Sequence, residues 1–128
     1  MAATVNIDDL PLPLSGERFR IEREGEGIAI SRIDDGSKVG SIALEAIDQG
    51  LFIYSLCVDE AHRSYGAGSE AARLLNEACE ASRVTVVRAW AAPNLRLSVY
   101  FWIRMGFRPL HGEGPDGGIW FERRAGSN

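Results

Sequence analysis

Residues 51–58 (Leu-Phe-Ile-Tyr-Ser-Leu-Cys-Val) carry no charge, and the chain leaves them through a short loop that ends in Gly66-Ala67-Gly68 into a stretch with helical period. An uncharged run of that length, bounded by turn residues and rich in aromatic and β-branched side chains, reads as a strand buried on both faces. Ala71, Leu74, Leu75, Ala78, Cys79 and Ser82 then recur at i, i+3, i+4, i+7, i+8 and i+11. That spacing puts them on one face of a helix, with Glu70, Arg73, Asn76, Glu77 and Glu80 opposite. Residues 84–91 alternate again as a strand. Strand, helix and strand in this order make a crossover whose two strands lie parallel, and the rest of the chain must be arranged around it.

The flanks supply antiparallel partners. Phe19 and Ile21 alternate with Arg18, Arg20 and Glu22, residues 24–27 turn the chain, and Ile28, Ile30 and Ile33 form a second run. A turn at 34–37, a strand over 39–44 and a turn at Gln49-Gly50 complete a meander. Beyond the crossover, Pro93-Asn94 opens a helix over 95–105 that Gly106 stops. Strands over 107–110 and 119–123 flank a glycine-rich turn at 112–118. The order β-β-β-β-α-β-α-β-β predicts a single α+β domain over residues 17–128. Pro11, Pro13 and Gly16 mark residues 1–16 as a leader or edge segment and not a helix.

Charge narrows the function classes. Fourteen Lys and Arg against eighteen Asp and Glu leave a net charge of −4, with the basic residues dispersed, which argues against a nucleic-acid partner. No apolar run is long enough to span a bilayer, and Asp8 and Asp9 stand where a signal peptide would be basic, so a cytoplasmic protein with no membrane partner is expected. Cys57 and Cys79 lie within apolar-periodic segments and are expected as buried free thiols. With His62 and His111 far apart, no metal site is expected.

The chemistry concentrates where the crossover helix begins. Gly66 and Gly68 allow a tight turn and close approach of a ligand to main-chain N–H groups, which the first helical turn leaves unpaired at the positive end of its dipole. Ser69 adds a hydroxyl and Arg63 a mobile charge, so the mouth is an anion cradle. Arg63-x-x-Gly66-x-Gly68, with Val58 ending the strand before it and a helix after it, resembles the acyl-CoA pyrophosphate loop of the GNAT superfamily of N-acetyltransferases. Asn94 at the start of the next helix and Phe101-Trp102-Ile103-Arg104-Met105-Gly106-Phe107 at its end are similar to that superfamily's following motif.

The resemblance implies a mixed, mainly antiparallel sheet with splayed central strands and two main helices, here lacking the usual helices between strands one and two. It implies acetyl-CoA as cosubstrate. Main-chain groups of Leu56, Cys57 and Val58 would bond the pantetheine arm, and the amides of Arg63, Ser64, Tyr65, Gly66, Ala67, Gly68 and Ser69 would hold the pyrophosphate. Asn94 and Tyr100 would lie along the thioester, and the main-chain N–H near Val58 would meet the oxyanion. The implied reaction is direct attack of a primary amine on the thioester in a ternary complex, with Tyr100 the candidate acid.

Two departures bear on catalysis. Many members place a Tyr four residues before the Gly of Gly-Phe, where this chain has Trp102, and many carry a carboxylate on the strand that residues 51–58 occupy, where this chain has none. The alternative is therefore an acyl-CoA-binding or regulatory module without catalysis, and beyond it a plain interaction domain whose glycine loop is structural. Leu97, Val99 and Ile103, left over from the core stripe of the second helix, predict a homodimer.

Overall fold

A computed structural model describes residues 7–47, 50–59, 66–82, 84–91, 96–110 and 118–124, with backbone only for 96–99. After a 3-10 turn at Ile7–Asp9, the elements run β1 (Leu14–Ser15), β2 (Phe19–Glu24), β3 (Gly27–Arg32), β4 (Lys38–Ile47), β5 (Gly50–Val58) and α1 (Ala67–Ala81). They continue with β6 (Val86–Ala91), α2 (Arg96–Arg104), β7 (Arg108–Pro109) and β8 (Ile119–Arg124). The strands form one eight-stranded sheet in the order β1-β2-β3-β4-β5-β6-β8-β7. Every neighbouring pair is antiparallel except β5 and β6, the pair that the crossover through α1 makes parallel. The mixed α+β sheet read from the sequence is the one found, with a two-residue edge strand, β1, added before it.

Cross-strand partners share a face, so the ladder sorts the side chains into two sets. Ile21 opposite Ile30, Ile28 opposite Ile42, Leu44 opposite Ile53, and Ala89 opposite Phe121 line one face, all at 5% exposure or less. Ala71, Leu75, Ala78 and Cys79 of α1, Trp102 of α2 and Phe107 complete the same cluster, and Leu10, Leu12 and Leu14 join it from the N-terminal side. No helix among the described residues covers the other face. The expectation that β5 is buried on both faces therefore fails: Leu51 and Ile53 are buried, while Tyr54 is 49% exposed and Cys57 is exposed. An uncharged strand needs a layer on each side to be buried twice, and among the described residues only one layer exists.

Two polar residues of α1 are also not where helical period alone puts them. The Glu70 carboxylate accepts the main-chain N–H groups of Arg18 (3.0 Å) and Phe19 (2.6 Å), leaving its side chain only 12% exposed. Gly16 lies so close that a Cβ there would stand 2.7 Å from Glu70 Oε2. The turn between β1 and β2 has donors with no strand partner, and a carboxylate from the helix satisfies them. This ties the first turn of α1 to the sheet edge. Asn76, likewise expected on the solvent side, is 8% exposed.

Because charge-assisted bonds to a mostly buried carboxylate are lost together, Glu70→Ala is expected to destabilise the fold by about 2 kcal/mol. Glu77→Ala, exposed on the same helix, should stay within about 0.5 kcal/mol of the parent. Urea unfolding of the two variants checks the contrast, and equal losses would remove the clamp from the account.

Candidate functional site

The parallel ladder between β5 and β6 is short. Gly50 pairs with Val86, Leu51 with Val87, Phe52 with Arg88 and Ile53 with Ala89, and there it ends. On its other edge β5 stays with β4 as far as Val58 opposite Gly40. Within that second ladder the register shifts, because Ala43 faces Ser55 while Leu44 faces Ile53, so Tyr54 has no opposite number. One extra residue bends a strand and increases its twist. The bend falls where the parallel ladder stops. Residues 54–58 of β5 thus lean with β4, away from Trp90 and Ala91 of β6, and a V-shaped gap opens between the two central strands.

Helix α1 starts at the open end of that gap. Its N-cap, Gly66, is left-handed (φ 83°) and offers no side-chain cap. The Glu70 N–H donates to the Gly66 carbonyl at 2.9 Å, the first bond of the helix, so the N–H groups of Ala67, Gly68 and Ser69 precede it without intrahelical acceptors. A Cβ built on Gly68 would lie 3.4 Å from Leu56, 3.7 Å from Val58 and 3.7 Å from Phe101. The helix mouth therefore rests on the far half of β5 and on α2 together. From Gly66 and Ser69 a groove of about 550 Å³ runs along α1, past Arg73 and Asn76, with both arginines (Arg18, Arg104) and carboxylates (Glu17, Glu77, Glu80) on its walls. The nearest carboxylate to Arg73 is Glu70, at 3.8 Å, while Arg18 and Arg104 have no carboxylate partner among the described residues. Asn76, although buried, makes no side-chain hydrogen bond among the described residues, and it lines this groove.

The structure brings Leu56, Cys57 and Val58 along one side of the gap and Gly66, Ala67, Gly68 and Ser69 to its open end. Arg63, Ser64, Tyr65 and Asn94 lie outside the described residues, as do His62 and His111. Tyr100 is 71% exposed on α2. Trp102 is 4% exposed and stacks edge-on with Phe101 and Phe107, each at 5.0 Å, so it belongs to the core. The two thiols divide: Cys79 is buried, and desolvation pushes its pKa up to about 12, whereas Cys57 is exposed with its Sγ 3.2 Å from Ser55 Oγ, contrary to the expectation that both are buried. The bulge at Tyr54 and the groove residues Arg73, Asn76 and Arg104 were not anticipated. The one available signal was Asn76, a weak helix former inside an otherwise regular helix.

The chain matches the sequence profile of the acetyltransferase (GNAT) family over residues 4–107. No curated protein sequence matches it significantly. Among solved structures it is similar to an acetyltransferase (GNAT family) from Bacillus anthracis, with a TM-score of 0.68 and 16% identity over 77% of this chain and 66% of that one. The PaiA N-acetyltransferase of Thermoplasma acidophilum in complex with coenzyme A gives a TM-score of 0.62 and 17% identity over 77% of this chain and 59% of that one. Arabidopsis thaliana Naa50 in complex with the bisubstrate analogue CoA-Ac-MVNAL gives 0.62 and 18% over 76% and 71%. At these identities the likeness is one of fold.

The two glycines at the mouth have different reasons, and their alanine variants should move stability in opposite directions. Gly66 has a positive φ with open space around it, so Gly66→Ala costs about 1 kcal/mol through the backbone alone. Gly68 is helical and has room for a methyl group, so Gly68→Ala should stabilise the ligand-free protein by roughly 0.5 kcal/mol. Denaturant midpoints of the two variants give the signs.

Proposed function

The chain belongs to the GNAT acetyltransferase family, and on that premise we propose that it moves an acetyl group from acetyl-CoA to a primary amine by direct attack in a ternary complex. The observation that carries this reading is the coincidence of two openings: the β5–β6 ladder ends after Ile53 and Ala89, and at the wide end of the gap α1 presents main-chain N–H groups that its N-cap does not satisfy. A strand-like arm fits the first and a pyrophosphate the second.

In this reading the main chain of Leu56, Cys57 and Val58 bonds the pantetheine arm as a neighbouring strand would. The amides at Gly66, Ala67, Gly68 and Ser69 hold the pyrophosphate, aided by the preceding Arg63, Ser64 and Tyr65. The groove along α1 takes the nucleotide, with Arg73 and Arg104 available to phosphate and Asn76 to a base edge. Asn94 and Tyr100 border the thioester, and a main-chain N–H of β5 near Val58 meets the oxyanion as the amine adds. The C–N bond forms as the C–S bond breaks. Of the two protons the ammonium gives up, one goes to solvent and one to the CoA thiolate, which water or Tyr100 can supply. Positioning and the oxyanion donor carry most of the rate. A second copy covering Ile103, 49% exposed on α2, would make the protein a homodimer.

A specific observation favours a second reading, in which the domain binds acyl-CoA without transferring the acyl group: residues 51–58 hold no carboxylate, and core packing withholds Trp102 from the site. Release of CoA thiol in the presence of amines separates the two.

Acetyl-CoA at 100 times its dissociation constant should stabilise the protein by about 2.7 kcal/mol in thermal unfolding. Gly68→Val, whose branches would displace Leu56, Val58 or Phe101, should lose that gain, and undiminished binding would refute the cradle. Arg104→Ala should narrow the difference in affinity between CoA and 3′-dephospho-CoA. Tyr100→Phe should lower turnover by less than about tenfold, whereas a loss of about 100-fold with binding intact would make Tyr100 the acid.

A further inference from the structure

One stripe of α1 changes its chemistry from end to end. Ser69, Arg73, Asn76 and Glu80 stand at i, i+4, i+7 and i+11, so they follow one another along the same side of the helix, and all four line the groove that starts at the mouth. In that order they offer a hydroxyl, a guanidinium, a carboxamide and a carboxylate. The end beside the unpaired N–H groups is therefore positive. The far end, where Glu77 also lines the groove and the Glu80 carboxylate is shared with Arg123 at 2.5 Å, is neutral to acidic. Asn76, 8% exposed, makes no side-chain hydrogen bond among the described residues. No fully buried side-chain nitrogen or oxygen there lacks a partner, so the Asn76 amide keeps its remaining surface open to the groove. A carboxamide left unpaired in such a place costs stability that an apolar residue of the same size would not. A ligand edge with a donor and an acceptor side by side would pair both of its atoms.

We propose that the groove is an adenine-nucleotide site in its own right, with the mouth and Arg73 holding a diphosphate and Asn76 pairing with the base edge, so that free ADP binds unaided and competes with acetyl-CoA. Asn76 lies seven residues beyond Ser69, about 10 Å along the axis, a distance that a purine nucleotide spans from its phosphates to the far edge of its base and that a pyrimidine falls short of. Adenine presents a donor beside an acceptor, which an Asn side chain matches with two bonds, whereas the corresponding edge of guanine presents two acceptors. The carboxylates of Glu77 and Glu80 at that end favour the exocyclic amine of adenine and oppose the carbonyl of guanine. The competition rests on the transferase reading. Binding of the nucleotide does not, because no residue of the central gap takes part.

The test uses the full chain and titration calorimetry with ADP, GDP, UDP and inorganic pyrophosphate, first without acetyl-CoA and then with acetyl-CoA in excess. ADP should bind about tenfold more tightly than GDP or UDP, the size of one two-bond base contact, and excess acetyl-CoA should abolish its binding. Asn76→Leu should bring the three nucleotides to within about twofold of one another and leave pyrophosphate binding unchanged. It should not lower the thermal midpoint, because it removes an unpaired amide. Asn76→Ala, a small helix-forming replacement, should level the three nucleotides in the same way and decides the point where the leucine variant misfolds. Equal affinities of the parent protein for the three nucleotides, an ADP preference that survives both substitutions, or ADP and acetyl-CoA bound together would each overturn the proposal. If ADP binds with this preference and acetyl-CoA does not bind at all, the transferase reading falls and the nucleotide site stands. If acetyl-CoA binds and ADP does not, the proposal falls and the transferase reading stands.

Discussion

A single unpaired residue sets the layout of the molecule's centre. Tyr54 is one position too many for the β4–β5 ladder, and the strand answers by bending toward β4 at the residue where its parallel partner lets go. Had β5 stayed straight, the parallel ladder could have run on past Ala89 to Trp90 and Ala91, the end of β6, closing the space between the strands with backbone hydrogen bonds. The bend instead withholds one edge of residues 54–58 from that ladder. Backbone donors and acceptors left without a strand must find water or a ligand. The opening at the sheet's centre is thus an unfilled place in a hydrogen-bond pattern, and an extended molecule of matching spacing can complete it.

Around that opening the molecule is built from one side. The buried residues of both helices, the N-terminal leucines and one sheet face make one core, and Glu70 locks the start of α1 to the edge of the sheet. The lock matters for the site because the donors at the mouth are useful only when held in place over the end of β5. It also resolves the apparent conflict between a net charge of −4 and an anion-binding mouth. The amides at the mouth and the arginines of the groove act over a few ångströms, and they hold an anion although Glu17, Glu77 and Glu80 line the same groove.

The elements themselves were legible. Helical period over residues 71–82, alternation on either side of it and turn residues between runs are local signals, and they led to the sheet with its parallel crossover. The glycine pair was legible too, as a motif. What escaped lay between elements. A bulge inside an uncharged run leaves no mark, since Tyr54 is as strand-like as its neighbours. Glu70 and Asn76 were assigned to solvent because a helical wheel sees only the helix and not the edge turn whose donors need a carboxylate. The apolar content of residues 51–58 implies burial of Cys57 and Tyr54 only where two layers cover the strand. Each error is of one kind: the residue's own chemistry was read correctly, and the neighbour that decides its role comes from a distant part of the chain.

The place of β8 in the sheet bears on how the molecule comes into being. It is the last described strand to leave the ribosome, yet it lies between β6 and β7, pairing Val86 with Arg124 and Pro109 with Phe121. Until it arrives, β6 has β5 on one edge and nothing on the other, and α2 rests on a half-built floor. One wall of the central gap therefore stays incomplete through most of synthesis, although the mouth of α1 and all of β5 have already been made. Pairings of such long sequence separation are slow to form. A nascent chain therefore holds its ligand-binding residues before it holds the geometry that makes them a site.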